Sequence, residues 1–184
     1  MIKLYGGARS RASIVQWYLD ELPTPYDFQL LDMKAGEHLQ PVFLAINPFG
    51  KVPAIADDDF QLWESGAILL SLADKYEQVK TVEASAIACQ WVLFANSTLA
   101  TGLFVAESRD KETPRLLTGL NKILENQAYI TGDNFTVSDV AIASILGYAI
   151  MMLQMSYADY PAIDAYMKRI SDRPAYKKAI LGIS

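Results

Sequence analysis

The stretch from Asn47 to Ile68, NPFGKVPAIADDDFQLWESGAI, constrains the fold of this chain more than any other. It opens on a turn signal, continues as an apolar run, passes a turn of three aspartates and alternates again before a helical pattern begins. Proline has no N–H for a sheet ladder, so Pro53 fits the start, edge or bulge of a strand. A cis bond after Val52 is one way to use it. The stretch therefore predicts two short strands followed by a helix.

The junction between the second of these strands and the helix is a candidate ligand-binding site. The first N–H groups of a helix lack internal partners, and the helix dipole makes that end electropositive, so a ligand carboxylate can bind there. Ser65 could add a hydroxyl, and Glu64 could accept a hydrogen bond from a ligand ammonium. The pattern thus suits a zwitterionic ligand. The alternative is that Glu64 and Ser65 only cap their own helix.

The residues before this stretch predict a strand, a helix, a strand and a second helical or irregular segment. The first helix has Ser10 as its N-cap and ends before Pro23. The complete order over residues 1–76 is strand, helix, strand, helix, strand, strand, helix. Such an order predicts a small mixed sheet with helices on both faces.

The rest of the chain has only helical patterns. Residues 77–82 are polar without a period and are predicted to be a linker to an all-helical domain over 83–184. Thr136 and Asp139 form a variant capping box ahead of a helix that is apolar on nearly every side. The predicted helices span 83 to about 108, 112–127, the run after Thr136, 162–170 and 174–180.

The charge and composition exclude several classes of partner. Up to residue 78 the chain carries 6 basic and 11 acidic residues, and beyond it 10 of each. An acidic chain without a basic cluster argues against nucleic acid and anionic membranes. The longest apolar run, 140–155, is shorter than the roughly 20 residues of a membrane span. Met1 opens directly into a strand pattern without a signal peptide, so a cytoplasmic location is expected.

The single cysteine, Cys89, excludes an internal disulfide framework and a CxxC redox pair. It is predicted to be a small buried apolar residue. No set of residues predicts a metal site.

The motif NPxGKVPA followed by LWESxAI is similar to the glutathione-site segment of the cytosolic glutathione transferases. The resemblance implies a cis bond between Val52 and Pro53, and it assigns Glu64 and Ser65 to the γ-glutamyl end of glutathione. FTVSDVAIAS and YPAIDAYMKRISDRPAYKKAI resemble the family's helical domain, so the likeness covers nearly the whole chain. It implies a thioredoxin-like βαβαββα domain followed by an all-helical bundle, with Thr136 and Asp139 structural.

Three side chains are candidates for activating the glutathione thiol, because the thiolate is the nucleophile. Ser10 lies at the start of the first helix, where serine-type and cysteine-type transferases keep their thiol partner. Arg11 could stabilise the thiolate as a fixed cation, and Tyr5 matches the tyrosine of the tyrosine-type pattern. We rank Ser10 first, Arg11 second and Tyr5 third. The alternatives are an N-cap for Ser10, a surface or carboxylate-binding charge for Arg11 and a sheet-core ring for Tyr5.

The segment GEHLQPVFLAINPFGKVPA resembles the plant phi-type sequence and implies that His38 and Lys51 bind the glycine carboxylate of glutathione. Leu39 stands where that class often has a lysine, so one cation is missing. A solvated histidine and a plain surface lysine are the alternatives. Trp91, Phe94 and Phe104 have spacings that could line an electrophile site, but an aromatic stripe is more often core or dimer interface, and none is assigned.

The resemblance as a whole implies a homodimeric glutathione transferase that acts in detoxification. It would add the thiolate of glutathione, its co-substrate, to small hydrophobic electrophiles, with no prosthetic group. The opening KLYGxxRSRASIVQWYL is most like the bacterial chi-type class, which implies isothiocyanates as substrates. The rivals are a non-catalytic glutathione-binding carrier and a glutathione-dependent dehalogenase or isomerase. A disulfide reductase is disfavoured because no cysteine lies near Ser10.

Overall fold

The computed structural model of the chain describes residues 1–77, 79 and 81–183. It divides into two compact units: Met1–Lys80 together with Lys178–Ser184, and Thr81–Lys177. The predicted linker over 77–82 includes residues 78 and 80, which lie outside the described residues. Within the first unit, the Lys178 ammonium pairs with the Asp20 carboxylate at 3.0 Å, which ties the end of the chain to the first helix.

The first unit contains a four-stranded sheet in the order β2-β1-β3-β4. Strands β1 and β2 are parallel, whereas β1 with β3 and β3 with β4 are antiparallel. The elements are β1 (Ile2–Gly7), α1 (Ala12–Glu21), β2 (Tyr26–Leu31), α2 (Pro41–Leu44), β3 (Ala54–Asp57), β4 (Phe60–Trp63) and α3 (Ser65–Leu72). This order confirms the predicted thioredoxin-like βαβαββα domain.

The β3–β4 hairpin brings together two residues that are distant in sequence. Its strands pair from Ala54 opposite Trp63 to Asp57 opposite Phe60, so the turn has two residues. Asp58 has a φ of 53°, the left-handed conformation that such tight hairpin turns require. Because Ala54 faces Trp63, the residue before β3 and the residue after β4 come together at one end of the hairpin. Pro53 and Glu64 are those two residues.

Helix α1 begins later than predicted. Its first residue is Ala12 and Arg11 holds the N-cap position, which corrects the assignment of Ser10 as the cap. The Ser10 hydroxyl oxygen accepts hydrogen bonds from the N–H of Gly7 at 3.1 Å and of Ala12 at 3.3 Å. Ser10 therefore closes the turn between β1 and α1 and bonds to the first residue of the helix from one position further back.

The second unit is helical, as predicted. Its helices are α4 (Val82–Leu93), α5 (Ala100–Phe104), α6 (Ala106–Leu124), α7 (Val137–Leu153), α8 (Pro161–Ser171) and α9 (Pro174–Tyr176), and a π-helical segment Phe94–Leu99 joins α4 to α5. One helical stretch, Val82–Phe104, has the length and apolar character of a membrane span, a test that core helices of soluble proteins also pass.

The break between the two long helices differs from the prediction. The helix predicted over 83 to about 108 ends at Phe104. Helix α6 begins at Ala106 rather than at 112, and it contains Pro114. Arg109 explains the break, because its guanidinium donates to the carbonyl oxygens of Leu103 at 2.7 Å and Phe104 at 3.3 Å. Side-chain bonds of this kind satisfy the carbonyl groups that a helix leaves open at its C-terminus.

Helix α7 forms the centre of the second unit and confirms the predicted capping box at Thr136 and Asp139. The Asp139 carboxylate is fully buried. It accepts the N–H groups of Thr136 and Ile130, each at 2.8 Å, and the Tyr166 hydroxyl at 3.1 Å. Burial raises the pKa of Asp139 above its usual value, although these hydrogen bonds favour the ionised form.

Candidate functional site

A cavity of about 190 Å³, here the site cavity, lies in the first unit. It brings together six of the nine predicted site residues and adds one that was not predicted. Its lining consists of Arg11, Asn47, Lys51, Val52, Pro53, Glu64 and Ser65. The remaining predicted residues, Tyr5, Ser10 and His38, are outside this lining. The turn before β3, the end of the hairpin and the starts of α1 and α3 therefore meet at one place.

The backbone of the cavity has two special features. The peptide bond between Val52 and Pro53 is cis. Glu64, at the other side of the hairpin end, has a φ of 72° and a ψ of 118°. A positive φ is uncommon for a residue with a side chain, and strained backbone of this kind concentrates at functional sites. The fold thus holds Glu64 in a conformation that its local sequence does not favour.

The N-terminus of α3 opens onto the cavity without a cap of its own. Glu64 holds the N-cap position, but no side-chain cap hydrogen bond forms there among the residues that the structure describes. Ser65 is the first helical residue, and its side chain is only 5% exposed. The first intrahelical bond runs from the Ile68 N–H to the Glu64 carbonyl at 3.0 Å. The preceding N–H groups are therefore left for a ligand, and Glu64 does not serve as an ordinary cap.

Asn47 is the lining residue that the sequence interpretation missed as a site residue. Its side-chain amide nitrogen donates to the Lys51 carbonyl at 2.7 Å, and its side-chain oxygen accepts the Phe49 N–H at 3.0 Å. It is 1% exposed. The Asn-Pro pair signalled a turn in the sequence, but the burial of the amide against the cavity depends on the packing of the loop.

The charges around the cavity match a ligand with two carboxylates and one ammonium. Arg11 and Lys51 supply two cations, Glu64 supplies one anion, and the N-terminus of α3 adds a partial positive charge. The three charged side chains are all exposed, so they stand at the rim, whereas Pro53 and Ser65 are buried. An apolar ligand without charged ends would use few of these groups.

Ser10 and Tyr5 have different surroundings. Ser10 is half-buried, and the two N–H groups that its oxygen accepts leave its hydroxyl hydrogen to donate. Tyr5 lies in β1 opposite Ala54, and its ring packs against Phe43 of α2 with the ring centres 5.7 Å apart. The contact with Phe43 corresponds to the alternative expectation of a packed ring for Tyr5.

His38 lies in a 3₁₀ turn, Glu37–Leu39. Its Nδ1 is buried and has no hydrogen-bond partner among the described residues. The turn packs against the loop before Lys51, because a Cβ added to Gly50 would lie 3.1 Å from the His38 carbonyl oxygen. A buried nitrogen without a hydrogen-bond partner is unfavourable by about 1–3 kcal/mol.

The other candidate groups lie in the second unit or form no cluster. Cys89 is half-buried in α4 and does not line the site cavity. Trp91 and Phe94 pack edge to face and line a groove of about 340 Å³ against α6, to which Phe104 does not contribute. Among residues 1–77, 79 and 81–183, no group of three or more His, Cys, Asp or Glu is placed to hold a metal ion.

Comparison with protein families finds two matches in order along the chain. The model of the glutathione S-transferase N-terminal domain matches residues 1–74, and that of the C-terminal domain matches residues 86–174. The matched regions correspond to the sheet-containing unit and to most of the helical unit.

Two curated relatives from Escherichia coli K12 and one solved structure extend this similarity. The disulfide-bond oxidoreductase YfcG is 31% identical and covers 98% of this chain and 95% of its own. Glutathione S-transferase GstB is also 31% identical and covers 98% of each chain. A glutathione transferase from Burkholderia graminis, with two glutathione molecules bound per subunit, has a TM-score of 0.81 at 26% identity, covering 97% of this chain and 86% of its own.

Proposed function

The chain belongs to the glutathione S-transferase family, and from that premise we propose that it binds glutathione in the site cavity and transfers the thiolate to small electrophiles. Glutathione is the co-substrate of this family. It has two carboxylates and one ammonium at neutral pH, which is the charge pattern that the rim of the cavity complements. The proposal concerns which residues bind each part of the tripeptide and which activate its sulfur.

The observation that carries the proposal is the open, strained helix start at Glu64 and Ser65. We assign the γ-glutamyl carboxylate to the unpaired N–H groups and the hydroxyl at the start of α3, and the ammonium to Glu64. The central cysteine then lies along the Val52–Pro53 backbone. Lys51 and His38 bind the glycine carboxylate. The lining of the cavity supports all of these assignments except that of His38, which is supported by its unpaired Nδ1.

Ser10 is the preferred thiol partner, followed by Arg11 and then Tyr5. The Ser10 hydroxyl has a hydrogen to donate, and Arg11 lines the cavity as a cation. Lowering the thiol pKa by two units from about 8.5 requires about 2.7 kcal/mol of preferential thiolate stabilisation. A hydroxyl donor, a nearby cation and the start of α1 together supply an effect of that order.

The electrophile class to test first is the isothiocyanates, in line with the chi-type character of the opening segment. The thiolate sulfur bonds to the central carbon, the electrons of the C=N bond move to nitrogen, and nitrogen takes a proton to give a dithiocarbamate. No group leaves and no oxidant is required. The activity fits a role in detoxification.

Ultraviolet titration of the bound glutathione thiol tests the proposal directly. We expect a bound pKa about two units below that of free glutathione. Ser10→Ala should return most of this shift, Arg11→Ala a smaller part and Tyr5→Phe the least. A bound pKa equal to the free value would favour the glutathione-binding carrier. A depressed pKa without conjugation would favour the dehalogenase or isomerase, which assays with halogenated and isomerisable substrates would then distinguish.

A second candidate function is glutathione-dependent disulfide reduction, favoured by the 31% identity to YfcG over almost the whole chain. Because Cys89 does not line the site cavity, glutathione itself would supply the sulfur. Its thiolate would attack the substrate disulfide and release one thiolate, and a second glutathione would reduce the mixed disulfide and become oxidised glutathione. A coupled assay with glutathione reductase and a small disulfide measures this activity. Cys89→Ser should leave it unchanged.

We further propose that the protein is a cytoplasmic homodimer that buries α3 and α4. Helix α4 supports this interface with three exposed apolar side chains, Val82, Ile87 and Leu93, which are 83%, 47% and 59% exposed. Light scattering should give twice the chain mass of 20.4 kDa. Leu93→Glu should shift the population to monomer, and Lys122→Glu, an exposed change on α6, should not. A monomeric wild-type protein at micromolar concentration would contradict the dimer.

A further inference from the structure

We propose that Asn47 is a positioning residue for glutathione: its side chain orients the Lys51–Val52 peptide unit at the wall of the site cavity. This inference rests on the proposed function. Asn47 does not activate the thiol, because its amide is occupied by backbone groups of its own loop. Its loss should therefore weaken glutathione binding and leave thiol activation intact.

The side chain of Asn47 spans the turn that precedes β3. It donates to the Lys51 carbonyl at 2.7 Å and accepts the Phe49 N–H at 3.0 Å. The Asn47 carbonyl accepts the Gly50 N–H at 3.0 Å, and Gly50 has a φ of 61°. Three hydrogen bonds from one residue thus fix the path of the loop into the cis bond at Pro53.

Asn47 also connects this loop to the sheet. Its N–H donates to the Phe43 carbonyl at 2.9 Å, and the Phe43 ring packs on Tyr5 of β1. Phe43 is 3% exposed and Asn47 is 1% exposed. Water has little access to the amide at this burial, so no solvent molecule can replace the lost bonds without a change in the loop. The side chain of Asn47 therefore contributes two buried hydrogen bonds to the position of the loop, in addition to the two that its backbone makes.

The bond to the Lys51 carbonyl has a consequence for the next residue. The carbonyl of Lys51 and the N–H of Val52 belong to one trans peptide unit, so they point in opposite directions. Because Asn47 holds the carbonyl on the protein side, the Val52 N–H points away from Asn47. This N–H has no acceptor among the residues that the structure describes, and Val52 lines the cavity. It is the group that a peptide carbonyl of glutathione would meet.

Two variants separate this role from general packing. Asn47→Ala removes both side-chain bonds, whereas Asn47→Asp keeps the acceptor for the Phe49 N–H and places a carboxylate oxygen against the Lys51 carbonyl. Burial and the facing Lys51 carbonyl oxygen should raise the pKa of that carboxyl group, so that protonation near pH 5 restores a donor. By calorimetry at pH 7.5, relative to wild type, we expect the glutathione Kd to rise about tenfold in both variants. At pH 5 the Asp variant should recover to within about threefold, and the Ala variant should not.

The kinetic parameters provide the second readout. Both variants should raise the KM for glutathione, while kcat and the pKa of the bound thiol stay near the wild-type values. A residue that only supports the fold would move all of these together or none of them. Asn126→Ala, an exposed asparagine change in the second unit, is the control and should leave Kd and KM unchanged.

A ligand-free measurement keeps the two proposals distinguishable. Hydrogen exchange of the loop amides 49–52 should accelerate in both Asn47 variants, while exchange over 137–153 in α7 stays as in wild type. If wild-type protein takes up no glutathione at millimolar concentration, the proposed function fails, and the exchange result still decides whether Asn47 orders the loop. Unchanged exchange, an unchanged Kd, or a failure of both variants to fold at 20 °C would overturn the positioning role.

Discussion

The starts of helices α3 and α7 contain similar residue types but differ in capping: side chains cap α7 and none caps α3. Both combine an acidic residue with a hydroxyl residue within the N-cap and first turn of an apolar helix. At α7, Asp139 and Thr136 turn inward, and their side chains bond to the backbone of the helix start. At α3, Glu64 adopts a positive φ and makes no cap bond, and Ser65 faces a cavity.

This difference shows what separates a folding element from a candidate binding element. A helix start that supplies its own acceptors gains stability and has nothing left to bind. A helix start without side-chain acceptors, held in strained backbone, leaves its donors available. The comparison therefore predicts that changes at α7 affect stability alone and that changes at α3 affect ligand binding.

The largest effect is expected for Asp139→Ala. It leaves the buried Ile130 N–H and the part-buried Thr136 N–H without an acceptor, at about 1–3 kcal/mol each, and it removes the closer of two acceptors of the Tyr166 hydroxyl. We therefore expect a loss of about 4 kcal/mol in the free energy of unfolding. Urea denaturation measures it, with the exposed Asp133→Ala as the control. A loss below about 1 kcal/mol would contradict the structural role of the capping box.

The next effect is expected for Glu64→Ala. If Glu64 binds the ammonium of glutathione, removing it should raise the Kd of glutathione by about ten- to a hundredfold, since hydrogen bonds to charged groups contribute about 1.5–3 kcal/mol. The free energy of unfolding should change by less than about 0.5 kcal/mol. Calorimetry and urea denaturation check the two parts, with Asp59→Ala as an exposed acidic control. An unchanged Kd would remove Glu64 from the site.

A smaller effect is expected for Thr136→Ala at the other helix. Loss of an N-cap hydroxyl should lower the free energy of unfolding by about 1 kcal/mol. Glutathione affinity should stay at the wild-type value, because Thr136 belongs to the second unit and does not line the site cavity. Thr136→Ser, which keeps the hydroxyl, should recover most of the loss. A change in glutathione affinity would contradict the assignment of stability to the start of α7 and of ligand binding to the start of α3.

The smallest effect is expected for Glu64→Gly. Glycine adopts a positive φ without strain, but it also loses more chain entropy on folding. The balance should stabilise the protein by about 0.5 kcal/mol, while glutathione binding is weakened as much as in Glu64→Ala. Thermal unfolding of the two variants side by side measures the difference. A Gly variant less stable than the Ala variant would show that Glu64 is not strained.

Local patterns were sufficient to predict the order of the elements of the fold, though not all of their bounds. The alternation around the three aspartates gave the hairpin, and Thr136 with Asp139 gave the start of α7, because each depends on neighbours within a few residues. The end of the long helix at Phe104 was missed, because it depends on Arg109 reaching back to carbonyl groups of the preceding turn.

Only part of the lining of the candidate site could be predicted, because local patterns do not show which distant residues meet. The hairpin register places Pro53 beside Glu64 once both strands are known. The place of Asn47 in the lining was missed, since nothing in its local sequence shows that its amide is buried against the cavity. The packing of Tyr5 on Phe43 also depends on a contact between distant residues. The roles of the individual site residues stay predictions until their variants are measured.

All of the described residues that line the site cavity lie between 11 and 65. Amino-acid substitutions outside the first unit therefore change none of the side chains that line the cavity. A gene that kept the part coding for residues 11–65 and exchanged the part coding for the helical unit would keep every one of these side chains.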